Sequence, residues 1–150
     1  MLKEGQKAPA FTLEDDQGQK VSLSDFKGKD VVLYFYPKDM TPGCTKEACD
    51  FRDNWSEVKK KGAVVLGVSA DPVKKHGAFK ARFKLPFTLL SDESKKTLKA
   101  YGVSQKKSFM GMKFMGIVRT TLLIGKNGKV RKVWSPVKVL GHVKDVLANL

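Results

Sequence analysis

Apolar residues along the chain follow two different periods. Val31 to Tyr36 is continuously apolar and Ala63 to Val68 has the same character, which is typical of strands buried on both faces of a parallel sheet. Between them, from about Gly43 to Lys60, apolar residues recur every three or four positions, which predicts an amphipathic helix that ends at Lys61-Gly62. These segments predict a strand, helix, strand unit whose crossover is right-handed.

An N-terminal hairpin is predicted ahead of this unit. Phe11, Leu13, Val21 and Leu23 alternate with polar residues on either side of Asp15 to Gly18. Alternation of this kind indicates half-buried strands, and a glycine at the end of a polar tetrapeptide indicates their turn.

Three further elements are predicted after the unit. Asp71 is placed to cap a helix that starts at Pro72 and runs to about Phe83. The short apolar run Phe87 to Leu90 predicts a brief strand. Ser91-Asp92-Glu93 then predicts the start of a short helix that ends near Tyr101-Gly102.

The remainder of the chain begins with an irregular segment. Glycines interrupt Ser104 to Gly116, which predicts an exposed or half-buried loop. Ile117 to Ile124 and Lys129 to Trp134 flank Asn127-Gly128, a strong signal for an antiparallel hairpin. A last amphipathic helix is predicted from about Leu140 to Leu150. Strands that alternate with helices in this way predict an α/β, thioredoxin-like fold with a central mixed sheet, flanking helices and an N-terminal β-hairpin.

Composition limits the classes of protein to consider. A chain of 150 residues with 41% hydrophobic and 29% charged residues fits a single domain over residues 1–150, and no apolar run approaches the roughly 20 residues of a membrane span. We therefore expect a soluble protein, and a cytoplasmic one because no export signal is visible. The 29 Lys and Arg exceed the 15 Asp and Glu and give a formal charge of +14, but the lysines are scattered, so neither nucleic acid nor membrane is expected as a partner.

Cys44 stands where the first long helix should begin. A thiol reacts as its thiolate, and the unpaired N–H groups of a helix N-terminus favour an anion there. Gly43 leaves space beside the sulfur, Pro42 stiffens the approach, and Thr41 offers a hydroxyl that can position a small polar substrate. The alternative is a cysteine that is only a small buried apolar residue.

Cys49, the only other cysteine, lies five residues further along the same predicted helix. Helical geometry puts the two Cα atoms roughly 8 to 9 Å apart, whereas a disulfide needs less than about 7 Å. A disulfide between Cys44 and Cys49 would therefore require the helix to unwind locally. The alternatives are an inert Cys49 and a zinc site, but His76 and His142 stand alone at positions we expect at the surface, so no metal is expected.

The residues around Cys44 resemble a known family. Pro37, Thr41 and Cys44 fit the P-x3-T-x2-C pattern of peroxiredoxins, and FYPKDMTPGCTKEACDFRD resembles the bacterioferritin comigratory protein, or peroxiredoxin Q, subfamily. GVSADP, LPFTLLSD, FMGIVRTTLLIGKNGKV and GHVKDVL resemble segments of that subfamily in the same order. The resemblance implies a thioredoxin-like thiol peroxidase that reduces hydrogen peroxide and organic hydroperoxides without a metal or other cofactor.

The resemblance also implies roles around the sulfur. Cys44 would be the peroxidatic cysteine that becomes a sulfenic acid, with Thr41 hydrogen-bonded to the thiolate and the peroxide. Pro37 would shield the pocket, and the backbone N–H groups of Gly43 and Cys44 would help to hold the substrate. Arg119 would supply the positive charge that stabilises the thiolate and polarises the peroxide.

Two further roles complete this implied mechanism. Glu47 would orient the arginine, unless it is one of the exposed glutamates common near helix starts, and Arg119 itself could otherwise be a surface residue. Cys49 would be the resolving cysteine that forms an intramolecular disulfide with the sulfenic acid. Thioredoxin or a similar dithiol protein would reduce that disulfide. Because both cysteines lie on one chain, we expect a monomer.

Other readings of the sequence remain open. A basic nucleic-acid-associated or chaperone-like protein on the same fold is the alternative function, and steep salt dependence of DNA binding would support it. A general disulfide oxidoreductase is a second alternative, although such enzymes usually have C-x-x-C and this chain has C-x4-C. Phe109 to Met115 could form an apolar collar that admits bulky hydroperoxides, or simply pack on the sheet.

Overall fold

The computed structural model describes residues 2–150, apart from the side chain of Phe109. Its strands are β1 Thr12–Asp15, β2 Lys20–Ser22, β3 Val31–Phe35, β4 Val64–Ser69, β5 Thr88–Ser91, β6 Ser104–Phe109, β7 Met112–Ile117, β8 Thr120–Ile124 and β9 Val130–Trp134. Its α-helices are α1 Pro42–Asp53, α2 Trp55–Lys60, α3 Val73–Phe83, α4 Lys96–Ala100 and α5 His142–Ala148, and a 3₁₀ turn covers Leu23–Phe26.

Seven strands form one mixed sheet in the order β2-β1-β5-β4-β3-β8-β9. Strand β3 is parallel to β4 and antiparallel to β8, and β4 is parallel to β5. The thioredoxin-like fold, the mixed sheet, the N-terminal β1–β2 hairpin with its turn at Gly18 and the β8–β9 hairpin are all confirmed.

The side chains of β3 divide the core into two layers because successive residues of a strand point to opposite faces. Val32 and Tyr34 pack with buried side chains of α1, α2, α3 and α5. Leu33 and Phe35 pack on the other face with Leu98 of α4 and with residues near the N-terminus and the end of β7. Burial on both faces explains why the β3 segment is apolar without interruption.

A close contact inside the first layer requires a glycine. Tyr34 stacks on Phe51 of α1 with ring centroids 5.0 Å apart. Gly67 of β4 lies beside the Tyr34 ring, where an added Cβ would come within 2.8 Å of Cζ. The tyrosine that supports α1 therefore fits only because its neighbouring strand lacks a side chain at that position.

The predicted loop over 104–116 is wrong. Strands β6 and β7 pair there as an antiparallel hairpin, separate from the main sheet, with Phe109 opposite Met112. The two turn residues, Met110 and Gly111, have φ angles of 50° and 79°, the positive values that a tight two-residue hairpin turn needs. The turn was missed because methionine is an uncommon residue at positive φ. The predicted single strand Ile117 to Ile124 is also wrong, since β7 ends and β8 begins within it.

Two predicted helix starts are corrected. Pro72 is the N-cap of α3, because the Asp71 carboxylate instead accepts hydrogen bonds from the Asp39 backbone N–H and the Ser69 hydroxyl. Helix α4 begins at Lys96, and Asp92 lies in the turn before it, where its Oδ2 accepts the Leu98 N–H at 2.8 Å. The Asp71 carboxylate therefore serves the loop, whereas the Asp92 carboxylate still binds an N–H group in the first turn of α4.

The long helix predicted from Gly43 to Lys60 is divided. Asn54, with φ −107° and ψ 17°, separates α1 from α2, and its side-chain amide donates to the Asp50 carbonyl at 2.8 Å. Both cysteines lie within α1, before the break. The helix that carries the thiols is therefore a distinct short element.

Candidate active site

The site forms at the C-terminal end of β3. The chain leaves this strand through a loop that ends at Thr41, the N-cap of α1, and Pro42 occupies the first turn. Cys44 is the third residue of α1, and only 1% of its surface is exposed. Its sulfur therefore lies at a helix N-terminus, within reach of backbone N–H groups that have no acceptor inside the helix.

Sheet register brings a distant arginine to this sulfur. Phe35, the last residue of β3, pairs with Thr120, the first residue of β8, so Arg119 lies at the end of β3 from which the loop leaves. Arg119 Nη2 is 3.3 Å from Cys44 Sγ. A thiolate at Cys44 consequently faces a fixed positive charge.

The same guanidinium holds a buried carboxylate. Arg119 Nη1 donates to Glu47 Oε1 at 2.8 Å, and the Glu47 side chain is fully buried while that of Arg119 is 16% exposed. Burial lowers the pKa of Arg119, but the negative groups of Glu47 and Cys44 outweigh this and raise it. Arg119 thus stays charged between the two groups, and the alternatives of a surface arginine and an exposed glutamate are wrong.

Gly43 makes the approach of Arg119 possible. An added Cβ at Gly43 would lie 3.1 Å from Arg119 Nη2, the nitrogen that also contacts the sulfur. A larger residue would therefore press on the guanidinium at the point where it meets Cys44.

Glu47 is a carboxyl group poised to titrate near neutral pH. Burial raises its pKa to about 7, and the charge and hydrogen bond of Arg119 limit the rise. Among the described residues, its second oxygen, Oε2, has no hydrogen-bond partner, and the nearby Tyr34 hydroxyl has none either. An ionised Glu47 is therefore only half satisfied in this position.

His142 faces this carboxyl from α5. Its Nε2 is hydrogen-bonded to the Thr121 hydroxyl at 2.8 Å and lies 4.0 Å from Glu47 Oε2. Burial lowers the pKa of His142 to about 4, so the ring is neutral at pH 7 and does not form an ion pair with Glu47. The expectation of a surface histidine is wrong, because His142 lies on the core-facing side of α5 with Val143 and Val146.

Thr41 and Pro37 lie at the two ends of the loop between β3 and α1. The Thr41 hydroxyl donates its one proton to the Lys38 carbonyl at 2.7 Å, so the expected hydrogen bond from Thr41 to the thiolate is not made in this structure, while the Thr41 oxygen can still accept. Pro37 is exposed, at the beginning of the same loop.

A buried polar cluster anchors the loop between β3 and α1. Asp39 accepts the Tyr36 hydroxyl at 2.6 Å and contacts His76 Nδ1 at 2.7 Å, and its own N–H donates to Asp71 Oδ2 at 2.8 Å. His76 Nε2 is 2.9 Å from the Leu90 carbonyl, so each ring nitrogen lies within hydrogen-bond distance of an oxygen. We call Tyr36, Asp39, Asp71 and His76 the loop clamp.

Sequence patterns did not predict the loop clamp, and His76 was wrongly expected at the surface. A signal was present, because His76 shares the core-facing stripe of α3 with Phe79 and is the polar member of that stripe. Asp39, Asp71 and His76 also bring ligand-type atoms within 4.8 Å of one another, but the hydrogen bonds described above already engage them and neither cysteine belongs to the group.

Cys49 lies on the same unbroken helix, partly buried, and both cysteines are free thiols. The pKa of the Cys49 thiol is raised above its ordinary value, mainly by burial. At helical spacing the two Cα atoms are roughly 8 to 9 Å apart, beyond disulfide distance. The structure therefore represents a reduced form in which the two sulfurs are held apart.

A thioredoxin-like fold that presents a buried cysteine at a helix start, held against an arginine and a buried glutamate, defines the peroxiredoxin class of thiol peroxidases. Residues 4–133 match the model of the AhpC/TSA family. The chain belongs to this family, and within it to peroxiredoxins of the Bcp and peroxiredoxin Q type, which are thiol-dependent peroxidases.

Relatives and solved structures agree on this assignment. The chain is 56% identical over 149 residues to a putative peroxiredoxin Bcp of Coxiella burnetii, covering 99% of each chain. It is 52% identical to peroxiredoxin Bcp of Bacillus subtilis, covering 97% of this chain and 93% of the relative. The solved bacterioferritin comigratory protein of Xanthomonas campestris superposes with a TM-score of 0.92 at 38% identity, over 98% of this chain and 96% of the other.

No helix in residues 2–150 combines the length and the apolar character needed to cross a bilayer.

Proposed function

We propose that this chain reduces hydroperoxides at Cys44, with Cys49 as the resolving cysteine. The observation that carries the proposal is the contact of Arg119 with both Cys44 Sγ, at 3.3 Å, and Glu47, at 2.8 Å. This contact supplies a fixed positive charge to a sulfur that is otherwise buried in an apolar layer.

In the first step the Cys44 thiolate attacks one peroxide oxygen. An S–O bond forms, the O–O bond breaks, sulfur is oxidised by two electrons, and the departing oxygen takes a proton and leaves as water or alcohol. Arg119 and the free N–H groups of Gly43 and Cys44 stabilise the negative charge that passes between sulfur and oxygen. Since the Thr41 hydroxyl already donates its hydrogen bond to the Lys38 carbonyl, we assign the Thr41 oxygen to accept a hydrogen bond from the peroxide O–H. Pro37 covers the outer side of the loop.

In the second step the Cys49 sulfur attacks the sulfenic acid. An S–S bond forms, the S–O bond breaks and water leaves. The first turns of α1 must unwind for the sulfurs to meet, and this also releases Glu47 from Arg119. A dithiol protein such as thioredoxin then reduces the disulfide by exchange.

Three further features of the protein belong to the proposal. Residues 1–150 act as a single domain, because both core layers share one sheet. The protein works as a monomer, since both cysteines lie on one helix. It works in the cytoplasm, where reducing conditions return the two thiols to their free state.

The test is peroxide consumption by purified variants with a thioredoxin system. Cys44→Ser should abolish turnover, whereas Cys49→Ser should still consume one equivalent of peroxide and then fail to recycle. Lys46→Gln, an exposed change on α1, is the control and should match wild type. Full activity in Cys44→Ser would overturn the proposal, and an unchanged steady-state rate in Cys49→Ser would remove Cys49 from the resolving role.

A further inference from the structure

The positive charge of this protein is concentrated in one part of the chain, because the acidic residues are absent there. Residues 94–144 contain 13 of the 29 Lys and Arg and none of the 15 Asp and Glu. This segment therefore accounts for +13 of the formal charge of +14, and the other 99 residues for +1. Scattered lysines gave no hint of this, since it is the acidic residues that are unevenly distributed.

Exposed apolar side chains are concentrated in the same segment. The β6–β7 hairpin exposes 87% of Met110, 73% of Met112, 48% of Phe114 and 47% of Met115. Of the large apolar side chains described as exposed, only Met40 lies outside residues 94–144. The alternative in which this stretch packs on the sheet is therefore wrong for the side chains that the structure describes, whereas the Phe109 side chain lies outside them.

The register of the hairpin places basic side chains beside apolar ones on both of its faces. Met112 and Phe114 share one face with Lys107. Met115 shares the opposite face with Lys106 and Lys113, which are both exposed. Long lysine side chains can reach anionic groups while the methionines and phenylalanine enter an apolar layer.

These properties fit a membrane surface better than a nucleic acid. An anionic bilayer offers negative headgroups directly above an apolar layer, so the lysines and the apolar side chains of the hairpin both find a partner there. Nucleic acid offers the negative charge, but flexible methionines at the tip have no role in contacts with phosphates or in stacking on bases. A peripheral contact of this kind needs no helix that spans the bilayer.

The hairpin also leads directly into the candidate site. Arg119 follows the end of β7 by two residues, so the first residue of β7 is no more than roughly 23 Å of extended chain from it. A protein docked through the hairpin would keep its sulfur close to the lipid surface.

We propose that the β6–β7 hairpin, supported by the acid-free segment 94–144, is a docking surface for anionic lipid bilayers that brings Cys44 to hydroperoxides carried on membrane phospholipids. This rests on the proposed peroxidase function and names a substrate class for it.

The first experiment measures binding of the full chain to vesicles of phosphatidylcholine alone and to vesicles that also contain phosphatidylglycerol, at low and high salt. Wild type should bind the anionic vesicles at least about tenfold more tightly, with loss at high salt. Met110→Ser/Met112→Ser/Phe114→Ser should lose this binding, whereas Leu140→Ser, an exposed apolar control, should retain it.

Charge variants test the contribution of the lysines. Lys106→Gln/Lys113→Gln should weaken binding by about fivefold for each lysine, while Lys59→Gln/Lys60→Gln, exposed lysines outside the segment, should change it less than about twofold. Equal binding to neutral vesicles, binding that persists in the triple serine variant, or a preference for DNA that survives in that variant would each overturn the proposal. A concentration-dependent dimer that the triple variant abolishes would also overturn it.

The second experiment compares a phospholipid hydroperoxide in the two kinds of vesicle with hydrogen peroxide in solution. The triple serine variant should lose the faster reduction in anionic vesicles and keep the wild-type rate with hydrogen peroxide. If hydrogen peroxide is reduced but vesicle composition has no effect, the docking surface fails and the peroxidase stands. If Cys44→Ser binds vesicles like wild type while wild type reduces no peroxide, the peroxidase fails and the surface stands.

Discussion

At the scale of single residues, Arg119 is the one described side chain that hydrogen-bonds to both Cys44 and Glu47. It donates to Cys44 Sγ from one nitrogen and to Glu47 Oε1 from another. A guanidinium can do both at once because its donors are fixed in one plane, whereas a lysine ammonium acts as a single point charge.

Two replacements of Arg119 should therefore distinguish the effect of its positive charge from the effect of its paired hydrogen bonds. Arg119→Lys should slow oxidation of Cys44 by hydrogen peroxide about tenfold, and Arg119→Met by about 100-fold or more, as expected for loss of a donor to a developing anion. Single-turnover kinetics of thiol loss would measure both. Arg131→Lys, at an arginine paired with Asp30 on the surface, is the control and should leave the rate unchanged. Wild-type rates in Arg119→Met would contradict the role given to the arginine.

The raised pKa of Glu47 predicts that the free energy of unfolding depends on pH. Its pKa rises from an ordinary 4.5 to about 7 on folding, mainly through burial, so the native state binds more protons than the unfolded state between these values. The stabilising contribution is complete below about pH 4.5 and is lost as the pH rises to about 7, a change on the order of 3 kcal/mol.

Glu47→Gln should remove this loss, because the amide stays neutral and can still accept from Arg119. Urea unfolding at pH 5 and pH 8 would measure it: the free energy of unfolding of the variant, relative to wild type, should be higher at the higher pH. A difference between variant and wild type that is the same at both pH values would show that Glu47 does not titrate in this range.

At the scale of elements, α1 is anchored at both ends. The loop clamp fixes Asp39 before the helix, and the break at Asn54 follows it, with Phe51 fully buried in the core. The part that must unwind for a disulfide is therefore bounded to about 41–50.

Amide hydrogen exchange should detect this opening. After one equivalent of peroxide, residues 42–50 should exchange faster than in the reduced protein, while β3 should keep its protection. Cys49→Ser should show no such change, because its sulfenic acid has no partner on α1. His76→Gln should extend the fast exchange into 37–40, since it breaks the buried contact with Asp39. Equal protection in oxidised and reduced wild type would rule out coupling between α1 and the disulfide.

At the scale of the whole molecule, the disulfide should act against the fold. Most disulfides stabilise a protein, but a bond between Cys44 and Cys49 closes a loop too short to restrict the unfolded chain strongly. The unwinding of α1 that this bond requires would also remove Cys44 and Ala48 from the first core layer and separate Glu47 from Arg119.

Oxidised protein should accordingly unfold at a temperature roughly 5 °C below that of reduced protein. Differential scanning calorimetry of both forms would measure this difference. The control is Cys49→Ser treated with the same amount of peroxide, which cannot form the disulfide and should show no decrease in unfolding temperature from it. A higher unfolding temperature for the oxidised form would mean that α1 tolerates the bond without unwinding.

The sequence by itself determined the elements whose cause is local. Continuous apolar runs identified β3 and β4, and proline and glycine before a cysteine identified the start of α1, because hydrophobic period and helix-capping preferences act over a few residues. The P-x3-T-x2-C pattern further identified the class of chemistry.

Only the tertiary structure decided the environment of the sulfur. Arg119 is 75 residues from Cys44 along the chain, and it reaches the sulfur through the pairing of β3 with β8. The burial of Glu47, His76 and His142 is likewise set by helices packing on the sheet. Ionisation and contact depend on neighbours that lie far apart in sequence, and only folding brings these neighbours together.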